Sequence, residues 1–471
     1  MLQTHNTLVM KFGGTSVGTP EAMSQVVEIT KQAQKNWPRL VIVTSALSGI
    51  TNLLLTSAHA AVNGDTQVYT QAVFQLRKAH FEIADALIAN KARRDQVKQE
   101  INHLISEFSN LCHAISVLGE ASPRALDAVA SLGERMSVRL LAASIEAGGQ
   151  PAQFVEASQL IVTDRQFQSA HPLMETSRSK MQLVLNPLLD QGVVAVVTGF
   201  MAATEDGIIT TLGRGGSDYS AALVGALLPA QEVWIWTDVD GVMTADPRLV
   251  STAHTIPTLS YREVAELAYY GAKVLHPLTI RPVVEAGIGL RVLNTFNPAN
   301  PGTEIVTEMQ TDSGKIIKAV TAIKGLRLIT VDGRGMLGVP GVAARTFSTV
   351  AATGTSVPLI SQASSEQSIC FAVPAESADD VVAALQSTFS REIERRDIDR
   401  IWASQNVATI TVVGSGMSST PGVAGQVFSA LGNNKVNVIA IAQGSSEVSI
   451  SLMIAEEDIK TAVCTLHDLT A

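Results

Sequence analysis

Short apolar runs recur through the first 300 positions, each closed by Gly, Pro, Asp or a hydroxyl residue. LVM (8–10), LVIVTSA (40–46), VVAVVTGF (193–200) and VWIWTDV (233–239) are β-branched and almost unbroken in hydrophobicity. Strands of a parallel sheet covered on both faces carry that pattern, because neither side of the strand meets water. Between these runs the period lengthens. Leu104, Phe108, Leu111, Ile115 and Leu118 follow one another at steps of four, three, four and three, which puts them on one helical face turned toward a core. The stretch from about 66 to 145 predicts mostly helix, an all-α insertion within an α/β layer. A Pro-, Gly- and Asn-rich segment, NTFNPANPGTEI (294–305), closes this half.

The remaining chain repeats itself. GMLGVPGVAARTFSTVAATGTSVPLISQASSEQSI (335–369) aligns without gaps on GMSSTPGVAGQVFSALGNNKVNVIAIAQGSSEVSI (416–450), at a constant offset of 81, with 16 of 35 positions identical. Each copy reads strand, loop, helix, strand, strand, helix, with Pro340 or Pro421 near the helix start, where proline is tolerated. The pattern predicts a small ferredoxin-like βαββαβ module present twice. Plain duplication of structure accounts for core identities. Identity concentrated in the loop before the helix and in QxSSE favours a shared ligand site. The expected organisation is α/β: an open, mostly parallel sheet sandwiched by helices over 1–305, then modules over 316–395 and 400–471.

Composition narrows the class. The chain has 471 residues, 46% of them hydrophobic and 16% charged, with a formal net charge of −9. That is enough apolar surface for sizeable cores, and an acidic surface argues against nucleic acid or an anionic membrane as partner. Cys112, Cys370 and Cys464 lie far apart, without the spacing of a metal site. With no signal-like apolar N-terminus and no long uncharged apolar run, the expectation is a cytoplasmic protein.

Against that background Lys11 stands out. It sits in KFGGTSV (11–17), at the mouth of a buried strand, with only Phe12 between it and the pair Gly13 and Gly14. An ordinary lysine snorkelling to water is one reading. The other is an anion site, since two glycines let backbone N–H groups approach a phosphate closely and a following helix adds its dipole. The loop is neither a Walker A nor a dinucleotide GxGxxG.

A second glycine-rich turn, TTLGRGGSDYSAAL (210–223), sets Arg214 among Gly213, Gly215 and Gly216, with Ser217 and Asp218 opening a helix. Arg214 can clamp a carboxylate or phosphate in bidentate fashion. Asp218 is either a helix cap or a carboxylate that orients Lys11. WTDVDGVMTADPR (236–248) ends a strand with Asp238, Asp240, Asp246 and Arg248. It is an acidic turn or a docking place for a Mg²⁺-nucleotide. YYGAKVLHP (269–277) adds Lys273. SALSGITN (45–52) offers Thr51 as a donor to a carboxylate. In SLGERMSVRLL (131–141), Glu134 is either a dipole partner in a first turn or the acceptor of a ligand ammonium.

KFGGTSV, SALSGITN, GERMS, TLGRGGSDYSAAL, TDVDGVMTADPR and GAKVLHP, in this order, resemble the motifs of the aspartokinases, within the amino acid kinase superfamily. The resemblance runs from Leu8 to the C-terminus, and the repeat looks like that family's paired ACT domains. It implies the amino acid kinase fold and phosphorylation of the L-aspartate side chain by ATP, with Mg²⁺ carried by the nucleotide. It assigns Lys11 and Asp218 to catalysis, Lys11 on the transferring phosphoryl group and Asp218 organising it. Thr51, Glu134, Arg214, Gly215, Gly216 and Ser217 look like the aspartate-binding set. Lys11, Gly13, Gly14, Thr237, Asp238, Met243, Arg248, Lys273 and Val274 look like the ATP-binding set. Met243 stands where many relatives carry tyrosine, and a thioether can still pack on a base or ribose.

In the repeat, Gln362 and Gln443 match and look like effector-binding positions. The segments look closer to threonine-sensitive aspartokinases than to lysine-sensitive ones, so threonine is the expected inhibitor and lysine the second. Pairing of ACT modules between chains implies a homodimer. Competing readings are a relative that phosphorylates glutamate, carbamate or a nucleotide, and a catalytically dead amino-acid sensor. A third is the kinase half of a fused aspartokinase–homoserine dehydrogenase. The chain reaches Ala471 without a dehydrogenase-sized segment, so the expectation is a monofunctional enzyme.

Overall fold

The structure is a computed structural model. It describes residues 6–270, 275, 277–307, 316–336, 339–362, 367–417, 419–442 and 448–470. Contacts divide the chain into two compact units. The first comprises Met1–Val242, Thr255–Ala265 and Lys273–Glu308; the second comprises Met243–His254, Glu266–Ala272 and Met309–Ala471.

Eleven strands are described up to residue 306. They are β1 (Thr7–Phe12), β2 (Arg39–Thr44), β3 (Ala152–Val155), β4 (Val162–Thr163), β5 (Val194–Thr198), β6 (Met201–Thr204), β7 (Ile209–Thr211), β8 (Glu232–Thr237), β9 (Thr258–Ser260), β10 (Gly289–Asn294) and β11 (Thr303–Val306). Eight form one sheet in the order β3-β5-β2-β1-β8-β10-β11-β9. Its pairings are parallel except β10 with β11. The four apolar runs of the sequence are β1, β2, β5 and β8. β2 and β5 are buried along their whole length, as a sheet covered on both faces requires. β4, β6 and β7 make a separate small sheet.

The expected all-α insertion is present as helices Thr66–Leu87, Lys91–Leu118 and Pro123–Ala147. Asp65, Asn90 and Ser122 each accept backbone N–H groups of the first turn, and Pro123 occupies the first position of its helix. On the middle helix Leu104, Phe108 and Ile115 are buried and Leu111 packs partly against the same core. Leu118 is exposed; it is the last helical residue, before a left-handed Gly119, so the stripe runs off the end of the core.

In the second unit β12 (Ala319–Asp332), β13 (Leu359–Gln362), β14 (Ser368–Pro374), β15 (Arg400–Val413), β16 (Ala440–Ala442) and β17 (Ser449–Ala455) form one antiparallel sheet. The strand order is β13-β14-β12-β15-β17-β16. The 14-residue strands β12 and β15 lie side by side and each serves both modules. The far half of β12 pairs with β14 and with the start of β15, which gives the first copy its βαββαβ order. The far half of β15 pairs with β17, while its other neighbour is residues 319–323 of β12. The second copy therefore takes its last strand from a segment that precedes the first copy in sequence. The register shifts between Ile323 and Leu326, and again between Arg327 and Ile329, where one module hands over to the other.

His80, on Thr66–Leu87, is fully buried. Its Nδ1 lies 2.7 Å from the Leu76 carbonyl, and its Nε2 has no partner among the described residues. Burial lowers its pKa from 6.5 to about 4. The folded chain thus holds this imidazole neutral, whereas the unfolded chain protonates it near pH 6.5. The stability it contributes is complete above that pH and is lost as pH falls toward 4, by about 3 kcal/mol. Urea titrations between pH 4.5 and 7.5 should show a steeper acid loss for the natural chain than for His80→Leu; equal slopes would refute this.

Candidate active site

The sheet order turns at β1. The chain goes from β1 to β2 on one side and later reaches β8 on the other. Ligands of open α/β sheets sit beyond the carboxyl ends of the strands at such a reversal, because the two following loops diverge and leave a crevice. Lys11 is one residue from the end of β1, in register with Val43 of β2 and Ile235 of β8. Its Nζ lies 2.6 Å from an Asp218 carboxylate oxygen, and the two side chains are only 12% and 15% exposed. Asp218 stands in the first turn of the helix Gly216–Leu227 but does not cap it; that position belongs to left-handed Gly215. The sequence left cap and partner open, and the geometry selects the partner.

The loops that follow β1, β2 and β5 are tied to one another at this rim. Ser45 N donates to the Phe12 carbonyl at 3.1 Å, and Gly199 N donates to the Thr44 carbonyl at 2.8 Å. Glycine is required where they touch. A Cβ on Gly14 would lie 3.0 Å from the Ala46 carbonyl, and one on Gly199 would lie 2.7 Å from the Ser217 side chain. Gly13 is extended and precedes the one-turn helix Gly14–Val17; a Cβ there would sit 3.4 Å from Lys11 Nζ. Thr51 is in the first turn of Ile50–Val62, whose cap is left-handed Gly49.

Glu134 reaches this rim from Pro123–Ala147. A Cβ on the preceding Gly133 would lie 2.7 Å from the Ala46 Cβ, so glycine lets the helix press against the 46–50 loop. Glu134 is buried. Oε1 accepts the Ala46 N–H at 3.1 Å, and Oε2 has no partner among the described residues. Burial pushes its carboxyl up from 4.5 to about 8, with the Ala46 N–H pulling back. Such a carboxyl is incomplete and suits a cation that arrives with the ligand.

Arg214 is exposed between two left-handed glycines, Gly213 and Gly215. Behind its loop lies Asp127, a buried carboxylate that the sequence reading passed over. It accepts Gln168 N–H at 2.9 Å, Thr211 N–H at 3.0 Å and the Thr211 hydroxyl at 2.8 Å. Burial pushes its carboxyl up, and these three bonds oppose the shift. The available signal was an acid within the apolar helical run ALDAVASLGE, seven residues before Glu134.

Of the expected nucleotide set, Thr237 ends β8 and its hydroxyl donates to exposed Asp238 at 3.2 Å. Asp240 accepts from the Asn294 and Asn297 amides at 2.7 and 3.0 Å. Met243 and Arg248 belong to the second unit. There Arg248 pairs with its neighbour Asp246 at 2.7 Å, and Ala245 and Val250 enter the hydrophobic core of the second repeat module. Gln362 is the exposed last residue of β13. Lys273, Val274 and Gln443 lie outside the described residues. Among the described residues no helix is long and apolar enough to cross a membrane.

The amino acid kinase family profile matches residues 6–294, and an ACT domain profile matches 329–389 and 410–469. A bifunctional aspartokinase/homoserine dehydrogenase 2 of Arabidopsis thaliana is 38% identical over 98% of this chain and 50% of that protein. The chain thus spans about half the length of the curated relatives it matches first. Aspartokinase 3 of the same plant is 32% identical over 98% of this chain and 81% of its own. E. coli aspartokinase III in complex with aspartate and ADP, in its R-state, superposes with a TM-score of 0.82 at 30% identity, covering 98% of this chain and 99% of that one. The same enzyme with lysine and aspartate, in its T-state, gives 0.79. The paired Lys11 and Asp218 at the sheet reversal and the doubled ACT module thus accompany whole-length likeness to known enzymes, and the chain belongs to the amino acid kinase family, among the aspartokinases.

Proposed function

We propose that the chain is an aspartate kinase. It transfers the γ-phosphoryl group of ATP to the side-chain carboxylate of L-aspartate, giving ADP and 4-phospho-L-aspartate, the entry to lysine, threonine and methionine synthesis. The observation that carries this reading is the Lys11–Asp218 pair at the carboxyl end of the central strand. The attacking carboxylate is already ionised at neutral pH, so the step needs no general base. A carboxylate oxygen bonds to the γ-phosphorus as the bond to the leaving ADP oxygen breaks, and no proton moves.

The obstacle is repulsion between two anions. At about 4 Å in an effective dielectric of about 20, each pair of unit charges costs roughly 4 kcal/mol. Lys11, aimed by Asp218, offsets that repulsion, together with the backbone N–H groups of the glycine turns and the Mg²⁺ that ATP carries with it. Arg214, Ser217 and the turn glycines Gly215 and Gly216 take the α-carboxylate side of aspartate, with Thr51 as a further donor. Glu134 takes the ammonium, and the β-carboxylate is thereby aimed in line. Gly13, Gly14, Thr237, Asp238, Met243, Arg248, Lys273 and Val274 form the ATP set in this reading.

The domains of this reading are a catalytic one over 1–305 and ACT modules over 316–395 and 400–471. The modules bind an end-product amino acid through Gln362 and Gln443, threonine first and lysine second, and pair chains into a homodimer in the cytoplasm. Titrating the ADP-release assay with each amino acid tests the effector; indifference to both removes it.

Three further outcomes follow. Lys11→Ala should lower turnover by about two orders of magnitude or more, since it removes a cation from the transition state; an unchanged turnover number in an ADP-release assay discards the mechanism. Arg214→Ala should raise the KM for aspartate by about tenfold to a hundredfold, the worth of a charged hydrogen bond. A rise in the KM for ATP alone would reverse the two subsites.

Glu134 gives a pH signature. At pH 7 its carboxyl, pushed up to about 8, is mostly protonated in the free chain, and an arriving ammonium favours the ionised form. Aspartate should therefore bind more tightly from pH 6 to 8.5 and release nearly one proton per site near pH 7. Calorimetry in buffers of different ionisation enthalpy reads that proton; zero release contradicts the role given to Glu134.

A further inference from the structure

Asp127 and Glu134 stand seven residues apart on one helix. Seven residues advance a helix by about 10.5 Å and return it to within about 20° of the same face. Both carboxylates are buried, and each is tied to a different loop of the rim. Glu134 holds the Ala46 N–H. Asp127 holds Gln168 and Thr211. Thr211 closes β7, three residues before Arg214.

The stretch around Arg214 is ill suited to hold its own shape. Gly213 and Gly215 are both left-handed, and so is Gln168, at φ 70, a conformation that costs a residue with a Cβ. The two segments of this stretch lean on each other. Ala170 N donates to the Thr211 carbonyl at 2.9 Å, and a Cβ on Gly213 would lie 3.0 Å from the Gln168 carbonyl. Asp127 joins both to the helix, through three donors converging on one carboxylate.

We infer that Asp127 is a positioning residue for amino-acid recognition: by tying the Arg214 loop to the helix that carries Glu134, it sets the span between the cation that grips the substrate's α-carboxylate and the anion that grips its ammonium. The inference rests on the reading of Arg214 and Glu134 given above. An α-amino acid presents these two groups at a fixed separation, so a loop that wanders loses one grip when it keeps the other. Asp127 touches neither substrate. It acts through Arg214, and its removal costs aspartate affinity while the phosphoryl-transfer machinery at Lys11 stays in place.

Asp127→Asn tests this with little change of shape. The amide nitrogen would face N–H donors in place of an acceptor oxygen. Steady-state kinetics on the full chain should show the aspartate KM raised about tenfold, with the ATP KM and turnover within about threefold of the natural values. Thr211→Val removes only the hydroxyl donor and should shift the aspartate KM in the same direction by less; it serves as the test if thermal melting shows that Asp127→Asn does not fold.

The decisive readout is the double variant. In an Arg214→Ala background, Asp127→Asn should add less than about twofold to the aspartate KM, because the group it positions is gone. If its effect multiplies undiminished, or if the ATP KM rises and turnover falls by as much as the aspartate KM rises, Asp127 is merely structural and the inference fails alone. If Arg214→Ala leaves the aspartate KM unchanged, the clamp reading and this inference fall together.

Discussion

The site is organised by one ion pair, Lys11 to Asp218, held where the central sheet reverses its direction of growth. A lysine at the end of a buried strand is stable only if something anionic meets it. Asp218 does so from the first turn of the helix Gly216–Leu227, and the two largely shield each other from water. The pair therefore does two things. It makes a cation tolerable at the end of β1, and in the proposed reading it fixes the direction in which that cation faces an incoming anion. The surrounding glycines follow from the same need. Gly14, Gly199 and Gly133 occupy places where a Cβ would press on Ala46 or Ser217, so these segments pack closely at the rim.

The long helix Pro123–Ala147 is the second organising element. Its buried face carries two carboxyl groups with different fates. Asp127 is saturated by three donors, while Glu134 keeps one oxygen without a partner and is pushed toward its neutral form. The contrast separates a carboxylate whose partners are all supplied by the fold from one that keeps an oxygen open among the described residues. A buried polar atom without a partner costs free energy unless its partner comes from outside.

Much of this was legible in the chain. Unbroken β-branched runs marked β1, β2, β5 and β8 because burial on both faces leaves no polar positions. The 81-residue offset revealed the repeated module because its turns and glycines recur with its core. Three features were not legible. The exchange of strands between modules depends on residues 319–323, which lie before the aligned repeat and carry no copy of it. Asp127 looked like any acid in a helical run, because its partners lie about 40 and 84 residues away. Arg248, placed in the ATP-binding set, has Asp246 two positions back as a local partner, a pairing set by rotamers rather than by pattern. Asp218 was ambiguous for a similar reason: cap and ion partner ask for the same residue at nearly the same place.

The claim on which the account turns is that the ammonium of residue 11 meets the group in flight. A crystal structure of the chain with ADP, Mg²⁺, aspartate and a metal-fluoride mimic of the phosphoryl group measures this directly. The account predicts Lys11 Nζ within hydrogen-bonding distance, about 3 Å, of a fluoride or bridging oxygen of that mimic. An ammonium still turned wholly to Asp218, with the mimic bound elsewhere along the sheet, would contradict it.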